Sequence, residues 1–78
     1  MNAPSLVLLS QHATERMVPL GVTVEQVTVA VLEHHSRRRR NPREADWLVS
    51  SGSLRVAYNW PVGDDQAAAL VVTVFRER

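Results

Sequence analysis

The sequence predicts an α+β domain in which two N-terminal helices pack on one face of an antiparallel sheet of three to four strands. Helix-capping residues and helical spacing occur within residues 10–34, whereas apolar and polar residues alternate in strand-like runs from Ala45 onwards. The chain has 78 residues, 45% of them apolar, which suffices for one core layer. We therefore expect a single domain spanning residues 1–78.

The first part of the chain predicts a short apolar segment and then a brief helix. Residues 6–9, LVLL, suit either a short strand or a buried lead-in. Ser10 suits the N-cap of the helix because its hydroxyl can accept a hydrogen bond from an orphan backbone N–H. Pro19 lacks a donor, so we expect the helix to end or kink there, with Gly21 as the natural stop. The inward-facing stripe of this helix consists of Ala13, Met17 and Leu20.

A second helix is expected from residue 24 to about residue 34. Thr23 and Gln26 have the spacing of a capping box. Four apolar residues then recur on one helical face, namely Val24, Val27, Val31 and Leu32. Valine is a poor helix former, so a strand is the competing interpretation of the segment VTVAVL. The cap and the spacing favour the helix.

Three strands are predicted next, in the segments DWLVSS, LRVAYNW and AALVVTVFR. Turn-forming residues separate them at 51–53 and at 61–65. The last strand is apolar on both faces apart from Thr73, so we expect it to lie centrally or to pair on both edges. The middle strand presents one apolar face, formed by Leu54, Val56, Tyr58 and Trp60.

His12 and Arg16 are the first candidate site residues. They lie four positions apart on the predicted first helix, so their side chains share one stripe beside the inward-facing one. That stripe places them at the rim of the contact between helix and sheet, where a substrate has access. The spacing alone leaves two interpretations open, a reaction site or an ordinary pair of polar rim residues.

The basic residues are concentrated in one segment. The net charge is only +1, yet all nine basic residues are arginine and five fall within RRRRNPR, residues 37–43. One or two of them can offset the partial negative charge at a helix C-terminus. The whole run suits neutralisation of a nucleic-acid backbone, while an acidic protein partner or a solvated loop are the alternatives. The candidate nucleic-acid contacts are Arg37, Arg38, Arg39, Arg40 and Arg43.

The remaining histidines and aromatic residues have mainly structural interpretations. His34 and His35 are adjacent, so on a helix they face different directions and make a poor metal pair. We expect a helix-terminal or solvent-facing position for both. Tyr58 and Trp60 are expected in the core, whereas Trp47 suits either the core or stacking on bases.

The composition excludes several classes of site. No cysteine is present, so neither a disulfide framework nor a thiolate zinc site can form. Residues 1–9 lack the basic start and long apolar stretch of a secretory signal, and no run approaches the length of a membrane span. We expect a soluble cytoplasmic protein that uses no metal, no cofactor and no membrane.

The order of these motifs is similar to a small bacterial family, domain of unknown function 4258. The matching features are His12–Ala13 with Arg16–Met17, then Gly21–Val22 with Glu25, Val27 and Leu32, then LRVAYN and the terminal VVTVF. The resemblance covers residues 10–76. The chain departs from the family pattern at Pro19, at Leu20, where a basic residue is frequent, and at Asn59, where an acid is frequent.

This resemblance implies a fold and a set of site residues. The family looks related to the barnase–EndoU–colicin–RelE group of metal-independent ribonucleases, in which two N-terminal helices pack on an antiparallel sheet. Carried over, His12 would be the general acid or base, and Arg16 and Arg55 would stabilise charge on phosphate. Thr73 would orient the phosphate or the 2′-hydroxyl. No glutamate is an obvious second base in the sequence.

The resulting functional hypothesis is a toxin-type RNA endonuclease that cleaves through the RNA 2′-hydroxyl. Its expected partners are RNA and a cognate antitoxin or another acidic protein. The alternative is a non-catalytic accessory module, encoded by a phage or mobile element, that binds nucleic acid or protein with the same fold. A further possibility is a homodimer, formed by pairing of the apolar last strand at a sheet edge.

Overall fold

The computed structural model describes residues 3–41 and 43–77, which form one five-stranded sheet and two helices. In chain order the elements are β1 (Leu6–Leu9), α1 (Gln11–Leu20), α2 (Val24–His34), β2 (Arg39–Arg40), β3 (Trp47–Ser51), β4 (Leu54–Asn59) and β5 (Ala68–Arg76), with a single 3₁₀ turn (His35–Arg37) after α2. The strands lie in the order β1-β5-β4-β3-β2. The predicted α+β class is confirmed.

The sheet differs from the prediction in strand number and direction. It has five strands and is mixed, because β1 pairs parallel with the first half of β5. The segment LVLL is therefore a strand, whose start is fixed by hydrogen bonds from the N–H groups of Ser5 and Leu6 to the carbonyl of Ala67. The fifth strand, β2, lies within the arginine run and pairs with the start of β3. With β1 on one side and β4 on the other, β5 is paired on both edges, which is one of the two positions predicted for it; the central strand is β4.

Helix α1 starts at the predicted N-cap, continues through Pro19 and ends at the predicted stop, Gly21. Ser10 Oγ accepts a hydrogen bond from the N–H of Ala13 at 3.0 Å, which confirms the N-cap. The helix does not end at Pro19, because its last carbonyls find donors just beyond it. Gly21 adopts the left-handed conformation (φ 65°), and its N–H and that of Val22 donate to carbonyls in the last turn.

Helix α2 has the predicted bounds and capping box. Thr23 Oγ1 accepts from the N–H of Gln26, whose side chain in turn accepts from the N–H of Thr23. The buried side chains are Val27, Ala30 and Val31. Val24 and Leu32 are 55% and 41% exposed, so the predicted apolar face was too wide. Neither described helix has the length and apolar character needed to cross a bilayer.

Both helices contribute to one core, against one face of the sheet. The fully buried strand side chains on this core face are Val49, Val56, Tyr58, Val71 and Val74. Helix α1 packs against β5, and α2 packs mainly against β3. We call the opposite side of the sheet the outer face; its cross-strand register is set by Arg39, Leu48, Ser50, Arg55, Ala57, Thr73 and Phe75. The candidate site lies on this outer face.

Candidate functional site

A groove of about 430 Å³ opens on the outer face beside β5. Three separate segments of the chain contribute to it: α1, the loop between β2 and β3, and β5. Its lining residues are His12, Arg16, Arg43, Glu44, Val72, Thr73 and Phe75. The structure therefore brings together three of the four residues implied by the resemblance, and adds one arginine from the basic run.

Helix α1 is attached to β5 at its first turn. The N–H of Ser10 donates to the carbonyl of Val71, and Ser10 Oγ donates to the carbonyl of Val72, both at 3.0 Å. The same hydroxyl caps the helix, so one residue fixes where α1 begins relative to the strand. His12 and Arg16 then project from the exposed side of α1 toward the groove that they line.

A β-bulge at Val72 brings the Thr73 side chain to the groove. Across β4 and β5, Tyr58 is opposite Val71 and Ala57 is opposite Thr73, so Val72 is one extra residue in β5. A bulge of this kind reverses the side-chain alternation that follows it. Without the extra residue, Thr73 would share the core face with Val71; with it, Thr73 lies on the outer face.

The loop between β2 and β3 supplies the other side of the groove, through Arg43 and Glu44. The N–H of Asn41 donates to the carbonyl of Asp46 at 3.1 Å, which closes the loop. The N–H of Asp46 donates to Oδ1 of Asn59 at 2.9 Å, which attaches the loop to the end of β4. Asn59, a departure from the family pattern, is thus the anchor of this loop.

Comparisons with family models, curated proteins and solved structures find no match for this chain. The resemblance to domain of unknown function 4258 accordingly stays a prediction.

Glu44 is a site residue that the sequence did not indicate. It is exposed and lines the groove together with His12. A carboxylate and an imidazole in one cavity form a pair of proton-transfer groups, and two guanidinium groups beside them give the groove a net positive charge. The residues around Glu44 are typical of a loop. Nothing in this segment of the sequence indicates that the loop lies close to α1.

Arg55 does not line the groove, although the resemblance implies that it stabilises charge on the phosphate. Its guanidinium donates to the carbonyl of Gly52 at 2.7 Å and lies 3.6 Å from the carboxylate of Glu77. Both partners are at the turn end of β4. The structure thus holds Arg55 at the hairpin turn, although its strand position is on the outer face opposite Phe75.

The basic run is divided between the two sides of the sheet. Arg39 is opposite Leu48 on the outer face, whereas Arg40 is opposite Trp47 on the core side. Consecutive residues of a strand point to opposite faces, which accounts for the division. Arg37, Arg39 and Arg43 line cavities of the outer face, whereas Arg38 and Arg40 contact tryptophan rings.

Arg38 and Arg40 stack on tryptophan rings. The guanidinium carbon of Arg38 lies 4.3 Å from the ring centre of Trp47 and 5.1 Å from that of Trp60, and that of Arg40 lies 5.0 Å from Trp47. Both indoles are half-buried against the core, and their N–H groups donate to backbone carbonyls. These arginines stabilise the sheet end by cation–π contact.

His35 has the predicted helix-terminal position, but it is buried and does not face solvent. It caps the end of α2 but is only 5% exposed, and its Nδ1 lies 2.7 Å from the hydroxyl of Tyr58. Burial, aided by the nearby positive charge of Arg38, lowers the pKa of His35. Burial also raises the pKa of Tyr58 to about 12, against a smaller opposing effect of Arg38. The neutral ring and the neutral phenol share one hydrogen bond between Nδ1 of His35 and the Tyr58 hydroxyl.

A second, smaller hollow lies at the opposite edge of the sheet. It has a volume of about 240 Å³ and is lined by His34, Arg37, Arg39, Leu48 and Ser50. It forms where the short strand β2 ends and leaves the rest of β3 without a strand neighbour on that side. The groove forms in the same way, because β1 pairs with β5 only as far as Val71 and the second half of β5 continues beyond the end of β1.

Proposed function

We propose that the groove binds a phosphodiester of RNA and cleaves it by attack of the adjacent 2′-hydroxyl, without a metal ion. The observation that carries this proposal is the convergence of His12, Glu44, Arg16, Arg43 and Thr73 on one open cavity. This set contains two proton-transfer groups, two cations and one hydroxyl. Each is a group that the reaction uses.

The proposed reaction needs one group to accept a proton and one to donate a proton. The Glu44 carboxylate takes the proton of the 2′-hydroxyl as its oxygen forms a bond to phosphorus. The bond from phosphorus to the 5′-oxygen breaks, and the His12 imidazolium gives that oxygen a proton. The products are a 2′,3′-cyclic phosphate and a 5′-hydroxyl, and exchange with water restores both side chains.

The cations and the hydroxyl act on the phosphate. Negative charge builds up on its non-bridging oxygens in the transition state, and Arg16 and Arg43 offer planar forks of donors to them. Thr73 is 7% exposed on the floor of the groove, and its hydroxyl is a donor that can fix the orientation of the phosphate. Arg55 has no part in this reaction, since it is held at the hairpin turn.

The test is cleavage of a single-stranded RNA oligonucleotide in the presence of a metal chelator. We expect 2′,3′-cyclic phosphate ends from the native protein, detected by mass spectrometry. His12→Ala and Glu44→Gln should each lower the rate by about 10²–10⁴-fold. Matched controls outside the groove are Gln11→Ala and Glu33→Gln, both at exposed helix positions.

Two results would overturn this assignment. One is full cleavage by His12→Ala; the other is intact RNA after incubation with folded native protein. Circular dichroism of every variant separates loss of a side chain from loss of the fold. The predicted toxin role is tested in cells, where expression of the native chain, and not of His12→Ala, should arrest growth.

The competing proposal is an accessory module that binds nucleic acid or an acidic protein without turnover. The position of Arg55 supports it, because one of the charge-stabilising groups implied by the resemblance is absent from the groove. This module would bind RNA with strong salt dependence and would not require His12. An acidic antitoxin would be a partner of the same basic surface in either case.

A further inference from the structure

The small hollow beside β3 has the composition of an anion site. Arg37 and Arg39 provide two guanidinium groups, and Ser50 provides a hydroxyl. Among the described residues that line it, none is acidic, whereas the groove includes Glu44. The hollow is thus equipped to bind a phosphate and lacks the carboxylate that the proposed cleavage uses.

His34 adds a hydrogen-bond donor to the hollow, and its contact with Arg37 fixes which ring nitrogen donates. The Nη2 group of Arg37 lies 3.1 Å from Nδ1 of His34, and an arginine can only donate. His34 Nδ1 is therefore the acceptor, and the neutral ring carries its proton on Nε2. The ring that lines the hollow consequently has an N–H group available for a phosphate oxygen.

The hollow and the groove are joined by one line of residues across the outer face. Arg39 is opposite Leu48, Leu48 is opposite Ala57, and Ala57 is opposite Thr73. Neighbouring strands are about 4.8 Å apart, so this line from β2 to β5 is about 14 Å long. One end is Arg39 in the hollow, and the other is Thr73 in the groove with Arg16 and Arg43. The middle is apolar, formed by half-buried Leu48 and buried Ala57.

We infer that the hollow of His34, Arg37 and Arg39 is a second phosphate subsite, and that one RNA strand crosses the outer face from the groove to this hollow. Phosphates would occupy the two basic ends, and sugar or base would lie over the apolar middle. Charge complementarity supports a polyanion as the occupant, because Arg16 and Arg43 lie at one end and Arg37 and Arg39 at the other. This inference rests on the proposed function in taking RNA as the ligand of the groove.

The binding test uses a fluorescent single-stranded oligonucleotide that is fully 2′-O-methylated and therefore cannot be cleaved. Fluorescence anisotropy is measured at several salt concentrations for the native protein and for the double variant Arg37→Ala/Arg39→Ala. We expect at least a tenfold weaker affinity, roughly the effect of losing one charged hydrogen bond. The slope of log affinity against log salt should fall by about 1.4, because two cations that neutralise phosphate charge on a single strand are removed.

Arg39→Ala and Arg40→Ala are a matched pair within this test. The two residues are adjacent and exposed, and each substitution removes one positive charge, but they lie on opposite sides of β2. Arg39→Ala should lower the salt slope by about 0.7, and Arg40→Ala should leave it nearly unchanged. Equal effects of the two would mean general charge attraction and would overturn the subsite.

A cleavage experiment with a short and a long substrate distinguishes failure of the subsite from failure of the proposed function. A dinucleoside monophosphate has one phosphate and cannot occupy both ends of the line. The double variant should therefore cleave it like the native protein, while its KM for a longer oligonucleotide rises at least tenfold. If nothing is cleaved, the proposed chemistry fails, and the anisotropy results alone decide the subsite. An unchanged salt slope overturns it and leaves an acidic protein as the ligand of the hollow.

Discussion

Two histidines in this chain have opposite surroundings, and the contrast separates reactivity from stability. His12 is exposed on α1 and lines a groove with two arginines and a carboxylate. His35 is buried, bonded to Tyr58 and packed edge-on against Trp60 with ring centres 4.5 Å apart. The first has access to a substrate. The second has access only to its neighbours, so its contribution is to the fold.

The largest expected effect is at the buried partner of His35. Tyr58→Ala removes a fully buried aromatic ring and the hydrogen bond to His35, and should destabilise the domain by about 3–5 kcal/mol. For a domain of this size that is most of the stability. Chemical denaturation measures it. His12→Ala, at the exposed site, should change the free energy of unfolding by less than about 0.5 kcal/mol. Equal losses of stability in the two variants would contradict the difference between the buried and the exposed site.

Removing only the Tyr58 hydroxyl should have a smaller effect on stability. Tyr58→Phe keeps the ring and leaves Nδ1 of buried His35 without its hydrogen-bond partner. The expected destabilisation is about 1–3 kcal/mol, the penalty for an unsatisfied buried polar group. Thermal unfolding followed by circular dichroism checks the value. A neutral result would show that the hydrogen bond between the two rings contributes nothing net.

The pH dependence of stability should include a contribution from buried His35. Because burial lowers the pKa of His35 in the folded state, the unfolded chain binds a proton first as the pH falls. Stability is therefore highest above pH 6.5, the usual histidine value, and declines as the pH falls below it. His35→Gln should flatten this decline, measured as the denaturation midpoint between pH 8 and pH 5. The matched control is His12→Gln, which removes an exposed histidine and leaves His35 in place, so the contribution of His35 should remain.

The two N-caps allow the groove to be perturbed without changing its lining residues. Ser10→Ala and Thr23→Ala each remove one cap and should each destabilise the domain by about 1 kcal/mol. Only Ser10 is also bonded to Val72 in the floor of the groove. Ser10→Ala should therefore lower RNA cleavage by about 10–100-fold as well, since small displacements of catalytic groups have effects of that size. Equal cleavage by both variants would remove Ser10 from the positioning of α1.

Local signals account for what the sequence predicted correctly. The caps at Ser10 and Thr23 depend on residues within one helical turn, and strand alternation depends on immediate neighbours, so each can be recognised in one sequence. The stripe of His12 and Arg16 follows from α1 alone. Gly21 ends α1 as predicted, and its left-handed cap completes the last turn beyond Pro19, where a break or kink was expected.

What the sequence did not predict depends on contacts between distant segments. The alternation of VVTVF places Thr73 beside Val71 on the core face, and only the bulge at Val72 reverses it. Parallel pairing of β1 joins segments more than 60 residues apart, as Leu6 with Ala68 shows. Glu44 reaches the groove because Asn59 on β4 holds its loop. None of these contacts has a signature in its own segment.

The smallest expected effect separates the two sides of β2. Arg40→Ala removes a guanidinium from the face of Trp47 and should lower the free energy of unfolding by about 0.5–1 kcal/mol, a typical exposed cation–π contribution. Arg39→Ala, one residue away on the outer face, should change it by less than about 0.5 kcal/mol. The order reverses for RNA binding, where Arg39 is the proposed contact. Two adjacent arginines with opposite effects would reproduce, within one strand, the separation of stability from function that the two histidines show across the molecule.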